Sequence, residues 1–201
     1  IRIEEQLPAF AALGDQRAVA ATWGQIADIY VHAGDLDEAL RIRREKQVPA
    51  FDRDTDKRPI AVALGKIADV VESQGDLDEA LRIHRDERLP VYDALNDKHG
   101  LMHVYWRIAR ILRVKSVVRE VAAEARLEPL ISAYQLAREL KRVDALGVTA
   151  LELGDLLLSL HAKKEAEVVL RTAVASCEEQ GVHDKQRQLK AKLTQLRTIP
   201  G

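Results

Sequence analysis

The chain has 201 residues, 47% of them apolar and 31% charged, with only 10 glycines and 6 prolines, a balance that excludes an unfolded polyelectrolyte and suits packed amphipathic helices. Lysine plus arginine (31) nearly cancels aspartate plus glutamate (32), so no global field draws the chain to nucleic acid or anionic lipid, and no stretch approaches the roughly 20 apolar residues of a membrane-spanning helix. The single cysteine, Cys177, excludes an internal disulfide and a thiolate zinc site and fits a reducing, cytoplasmic setting.

In chain order the elements repeat. Residues 1–14 align with the end of a later helix, Ile1 falling on Ile42, and are expected to be the remnant second helix of a preceding hairpin in a protein that extends further N-terminally. Asp15 is placed to cap a helix reaching about Ala33, along which Ala21, Ile26, Ala27 and Tyr30 recur at helical spacing. Gly34 stops that helix, because the residue past a helix end commonly adopts the left-handed conformation that glycine takes cheaply. Asp35 and Glu38 form a capping-box pattern that opens the next helix. Pro49 kinks or ends that helix, since proline lacks a donor and clashes with the preceding turn. This first unit, 15–55, returns after 41 residues as 56–96. Nine consecutive residues, Gly34 to Ile42, recur unchanged as Gly75 to Ile83. Ile26, Ala27 and Asp28 recur as Ile67, Ala68 and Asp69, while Pro8, Pro49 and Pro90, and Phe10, Phe51 and Tyr92, keep the same spacing. A third unit, 97–142, keeps Tyr105, Ile108 and Ala109 but carries Ser116 and Val121 where glycine and alanine are expected. A fourth, 143–181, aligns Glu152 to Leu156 on Gln25 to Ile29. Asp184 is placed to cap a last helix, 184–198, whose Leu189, Leu193 and Leu196 share one face, with Lys185, Lys190, Lys192 and Arg197 elsewhere. That pattern reads as the polar-backed helix that covers the end of a repeat stack.

At these spacings Trp23, Ile26, Ala27, Tyr30, Gly34, Leu36 and Ala39 resemble the tetratricopeptide repeat consensus, over about residues 1 to 180. The unit is about seven residues longer than the usual 34 and is similar to the long-helix repeats of kinesin-light-chain-like proteins. The resemblance implies an all-α, right-handed α–α superhelix of antiparallel hairpins. It also implies a concave surface lined by the first helix of each hairpin: Gln25, Asp28 and His32, then Lys66, Asp69 and Ser73, then Trp106, Arg107, Arg110 and Arg113, then Glu152 and Asp155. Arg107, Arg110 and Arg113 lie on one side of a helix and suit acidic side chains or a terminal carboxylate. A solvated face, or ion pairs to Asp28 and Asp69, is the alternative. The chaperone-tail clamp of some relatives would fall on Gly24, Asp28, Lys66, His103 and Arg107, where Asp28 repels the carboxylate that the clamp must hold. Trp23 falls at a packing position, whereas Trp106 aligns with Gly24 and Gly65 on the groove side and suits a partner contact or capture between units.

His99 and His103 have a metal-ligand spacing but no third ligand. The nucleophile-elbow, phosphate-loop and dinucleotide glycine motifs are all missing. No catalytic residue, metal or cofactor is therefore expected. The expected function is a non-catalytic scaffold, cytoplasmic and of bacterial composition, that binds a protein or peptide, acidic by the arginine stripe, in its groove. The alternative is a sensor or autoinhibitory array within a larger ATPase-linked signalling protein. Exposed solenoid ends offer a route to a homodimer.

Overall fold

The computed structural model describes residues 6–118 and 121–198; Ile1, and the side chain of Arg197, lie outside the described part. Every regular element among the described residues is helical, and the chain divides into two compact units, Ile1–Asn96 and Asp97–Gly201.

In the first unit α1 (Gln6–Ala12) leads into α2 (Gln16–Ala33). The Asp15 carboxylate accepts from the Ala18 N–H at 3.0 Å, satisfying a donor that the first turn leaves open. Gly34, at φ +83°, closes α2: its N–H and that of Asp35 donate back to Val31 and Tyr30. That closure corrects the expected capping box. Asp35 does accept from the Glu38 N–H at 3.1 Å, but the Asp35 N–H is already taken by Tyr30. Glu38 is released to hold Arg41 instead. The second hairpin repeats the arrangement, with the Asp76 N–H on Val71 and Glu79 on Arg82.

The second helix of each hairpin is widened where proline approaches. In the first, α3 (Leu36–Ile42) loosens into a π-helical stretch, Arg43–Gln47, then a 3₁₀ turn, Val48–Ala50, and ends in extended Phe51. In the second, which follows α4 (Lys57–Ser73), α5 (Leu77–Arg82) loosens over Ile83–Arg88, but the chain re-enters α6 (Leu89–Ala94) with Pro90 in its first turn. A proline needs no N–H partner there. Thus Pro49 precedes a stop and Pro90 a restart, from one sequence signal. Between the helices of each hairpin stand Ala27 with Ala39 and Ala68 with Ala80, all fully buried. Trp23 is half-buried and packs, with Tyr30, on Ile26, Ala27 and Ile42.

The second unit begins with α7 (Lys98–Val117), capped by Asp97. A 3₁₀ turn, Ala123–Arg126, leads into α8 (Leu127–Glu139), followed by α9 (Val143–Ser159), α10 (Lys163–Glu179) and α11 (His183–Thr198). The α8–α9 and α9–α10 turns pass through left-handed Lys141 and His161 rather than glycine. One continuous core holds Leu130, Leu146, Leu153, Leu170, Cys177, Leu189 and Leu196, with Leu193 against it. Burial pushes the Cys177 thiol up, away from the reactive thiolate. The last helix starts one residue earlier than expected. Asp184 therefore lies in its first turn, where it holds Arg187, and does not cap it.

Arginine and lysine partners hold several carboxylates below their ordinary range: Arg41 acts on Glu38, Arg82 on Glu79, Arg142 on Asp144 and Lys190 on Glu178. A carboxylate whose folded pKa is depressed adds stability above its unfolded pKa and loses it as pH falls through the folded one. Urea midpoints are therefore expected to be level above about pH 5 and to drop steadily below about pH 4. Midpoints that stay level down to pH 3 would show that these pairs contribute nothing.

Candidate functional site

Two recesses lie on the faces of first helices, one within each unit. In the first unit α2 and α4 flank a cavity of about 340 Å³ lined by Gly24, Gln25, Asp28, Val62, Ala63 and Lys66, with Phe51, Arg58 and Pro59 at its edge. Its floor comes from the second helix: Arg43 and Gln47 also line it, although they are 1% and 9% exposed. Gly24 makes this possible, because a Cβ there would sit 2.4 Å from Gln47 Nε2.

A buried arginine needs acceptors. Arg43 Nη2 donates to Asp28 Oδ1 at 2.6 Å and Nη1 to Gln47 Oε1 at 2.8 Å, while no acceptor meets Nε. Burial lowers the Arg43 pKa, and the charges of Asp28 and Asp69 oppose that shift. Asp28, expected on the partner-binding face with an ion pair to the arginine stripe as the alternative, is paired with Arg43 of its own hairpin. His32 is exposed, its Nδ1 2.6 Å from the Asp28 carbonyl. Neither His32 nor Asp69 lines the cavity, whereas Lys66 does. One repeat on, His84 and Arg88 replace Arg43 and Gln47: Arg88 Nε donates to the Ala61 carbonyl at 2.9 Å, and Arg88 Nη1 lies 2.9 Å from His84 Nδ1. Gly65 gives Arg88 its room, a Cβ there falling 2.7 Å from its guanidinium carbon.

In the second unit α7, α9 and α11 surround a cavity of about 360 Å³ lined by Met102, His103, Trp106, Ala145, Val148 and Lys185, with Arg142, Asp144 and Thr149. Trp106 stands at the repeat position of Gly24 and Gly65, and here it lines the cavity. The three arginines of α7 do not present one uniform grip. Arg110 lies over the Trp106 ring, 5.0 Å from its centre. Arg107 is half-buried, with a buried Nε, and only Arg113 is exposed. Burial lowers the pKa of Arg126, with the charge of Arg113 adding to that shift and Glu152 and Asp155 opposing it. Asp155 is paired with Lys192 of α11. His99 and His103 are both exposed, and among the described residues no three His, Cys, Asp or Glu side chains gather as metal ligands.

Of the residues expected on the concave face, Gln25, Asp28, Lys66 and Trp106 line these recesses, His32, Asp69, Arg107, Arg110, Arg113 and Asp155 do not, and Arg43, Gln47 and Lys185 were missed. Arg43 and Gln47 carried a signal, because each stands 41 residues before another polar residue, His84 and Arg88, and Gln47 and Arg88 each follow a glycine, Gly24 and Gly65, by the same offset.

No protein-family model matches the chain, and no curated protein sequence does. Solved structures do. A signal transduction ATPase with numerous domains and a tetratricopeptide repeat sensor, from Pyrococcus horikoshii, matches 97% of this chain at TM-score 0.68 and 15% identity. This chain spans 31% of that protein's length. BtubC from P. vanneervenii matches all of this chain and 95% of its own at TM-score 0.65 and 15% identity. A kinesin-light-chain-type protein of P. anserina with nearly identical TPR-like repeats matches 88% of this chain and 94% of its own, at TM-score 0.59 and 12% identity. The fold is an all-α solenoid of tetratricopeptide-like hairpins. Among the described residues no helix is long and apolar enough to cross a membrane.

Proposed function

We propose that this chain is a non-catalytic docking module in which the first-helix faces receive a helix or extended segment of a partner protein, with a preference for acidic segments. One observation carries the reading: in each unit a first-helix face is recessed, with small and apolar walls and cationic groups at the rim. Lys66 and Arg58 supply that rim in the first unit, and Lys185 in the second, where Arg142 is paired with Asp144. Apolar recesses ringed by charge suit a side chain that is buried and an acidic flank that steers the encounter.

The test is site-specific photocrosslinking. A benzophenone amino acid placed at Val62 or Val148, both in the recesses, is expected to trap the same protein from lysate of the source organism, with yield falling as salt rises. The same group at Val168, which is exposed on α10, is expected to trap none of it. Equal yield from Val168, or none from either recess, would overturn the docking reading.

A second reading, a sensor array inside a larger signalling ATPase, draws on the match of nearly this whole chain to part of the Pyrococcus protein, whose repeats serve as a sensor. Nucleotide turnover by the full-length protein that rises on adding the trapped partner would favour it.

A further inference from the structure

We propose that the cavity among α7, α9 and α11, which the docking reading gives to a partner segment, also binds a small aromatic carboxylate, a free metabolite-sized ligand that competes there with such a segment. The walls are apolar: Met102 and Trp106 face it from α7, and Ala145 and Val148 from α9. At about 360 Å³ the space is near the lower end of small-molecule sites, roughly 300–1,000 Å³, enough for one or two fused rings.

Its polar groups are few, and one of them, His103, is exposed with its ring 6.3 Å from that of Trp106. The Trp106 Nε1–H is buried and meets no acceptor in the protein, so Trp106 offers the cavity its ring and not a donor. Thr149 directs its hydroxyl back to the Ala145 carbonyl at 2.9 Å and so contributes its methyl group. Arg142 is neutralised by Asp144, with Nη2 at 2.6 Å from Oδ2, and this consumes the one carboxylate of the lining. Lys185 remains. Among the described residues it donates to Gln188 Oε1, at a long 3.3 Å. Its stem is held by Gly147, where a Cβ would come within 3.2 Å of Lys185 Cδ. One ammonium beside apolar walls selects a planar apolar body that carries one anionic group. Arg110, stacked over the Trp106 ring, holds that wall in place. The proposal does not depend on docking of a partner segment, because its measurement needs no partner.

The probe is 1-anilinonaphthalene-8-sulfonate, an aromatic anion, titrated into a Trp23→Phe background in which Trp106 is the sole tryptophan donor. Saturable energy transfer from Trp106 to the dye is expected. Lys185→Glu should weaken it about tenfold, while binding of the neutral N-phenyl-1-naphthylamine stays unchanged. Val148→Phe, or the alternative filler Ala145→Leu if the first does not fold, should abolish both. Indole-3-acetate should displace the dye, and a peptide ending in tryptophan should not. Equal dye affinity in the parent and Lys185→Glu, no loss on filling the cavity, or displacement by the peptide alone would each overturn the proposal.

Discussion

Leu170→Ala is expected to destabilise the Asp97–Gly201 unit by about 3 kcal/mol, within the range for leucine truncations in packed cores. Leu170 is fully buried in the core that α9 and α10 share. Across from it stands Gly154, where a Cβ would lie 3.3 Å from Leu170 Cγ and Cδ2. A glycine cannot swing a side chain into the space that the leucine vacates, so the cavity stays open and the loss lies well above the transfer term alone. Gly154→Ala by itself should cost about 1 kcal/mol through overpacking. In the double variant the new methyl enters the space left by Leu170, so the two losses should fall short of additive by about 1 kcal/mol. Urea unfolding followed by far-ultraviolet circular dichroism measures all three. A Leu170→Ala loss under about 1 kcal/mol, or strict additivity, would show that this contact is not tight.

The buried cation of the first hairpin should respond asymmetrically. Asp28→Ala leaves Arg43, at 1% exposure, with Gln47 as its remaining partner, and should cost about 2 kcal/mol. This is below the 3–5 kcal/mol typical of a broken buried pair, because the Asp28 side chain is 47% exposed and partly screened. Arg43→Met removes the charge that needed compensation and frees Asp28 to water, and it should stay within about 1 kcal/mol of the parent. Equilibrium unfolding of the two variants decides the matter. If Arg43→Met proves the more costly, the desolvated arginine contributes net stability and the asymmetry is refuted.

The hairpin ends were legible because their chemistry is local: Asp15, Asp35 and Asp76 each satisfy an N–H three residues on, and Gly34 and Gly75 each supply a left-handed residue. The alanines between helices were legible by repetition. The later turns were less so, because Lys141 and His161 take the left-handed conformation without glycine. Their punctuation depends on the packing of α8, α9 and α10 and not on residue type. The capping box failed because sequence spacing cannot show that Tyr30 already holds the Asp35 N–H. Of the groove residues, Lys66 and Trp106 were placed by their repeat positions. Asp28 was placed there too, but its commitment to Arg43 was invisible, since charged residues on a second helix read as solvent-facing until a glycine on the neighbouring helix is seen to admit them.

Two hairpins that share nine consecutive residues invite a folding error, in which the first helix of one closes on the second helix of the other. The polar groups beneath Gly24 and Gly65 distinguish the correct partners. Asp28 finds Arg43, itself held by Gln47, within its own hairpin, whereas the other second helix would offer His84 and Arg88 at those places. The mispaired form would crowd Arg88 beneath Gly24 and leave Arg43 beside Asp69, a different contest of charge and volume at each interface. Near-identical surfaces are thus given separate addresses in their interiors, so that a duplicated segment can be retained without its copies being interchangeable.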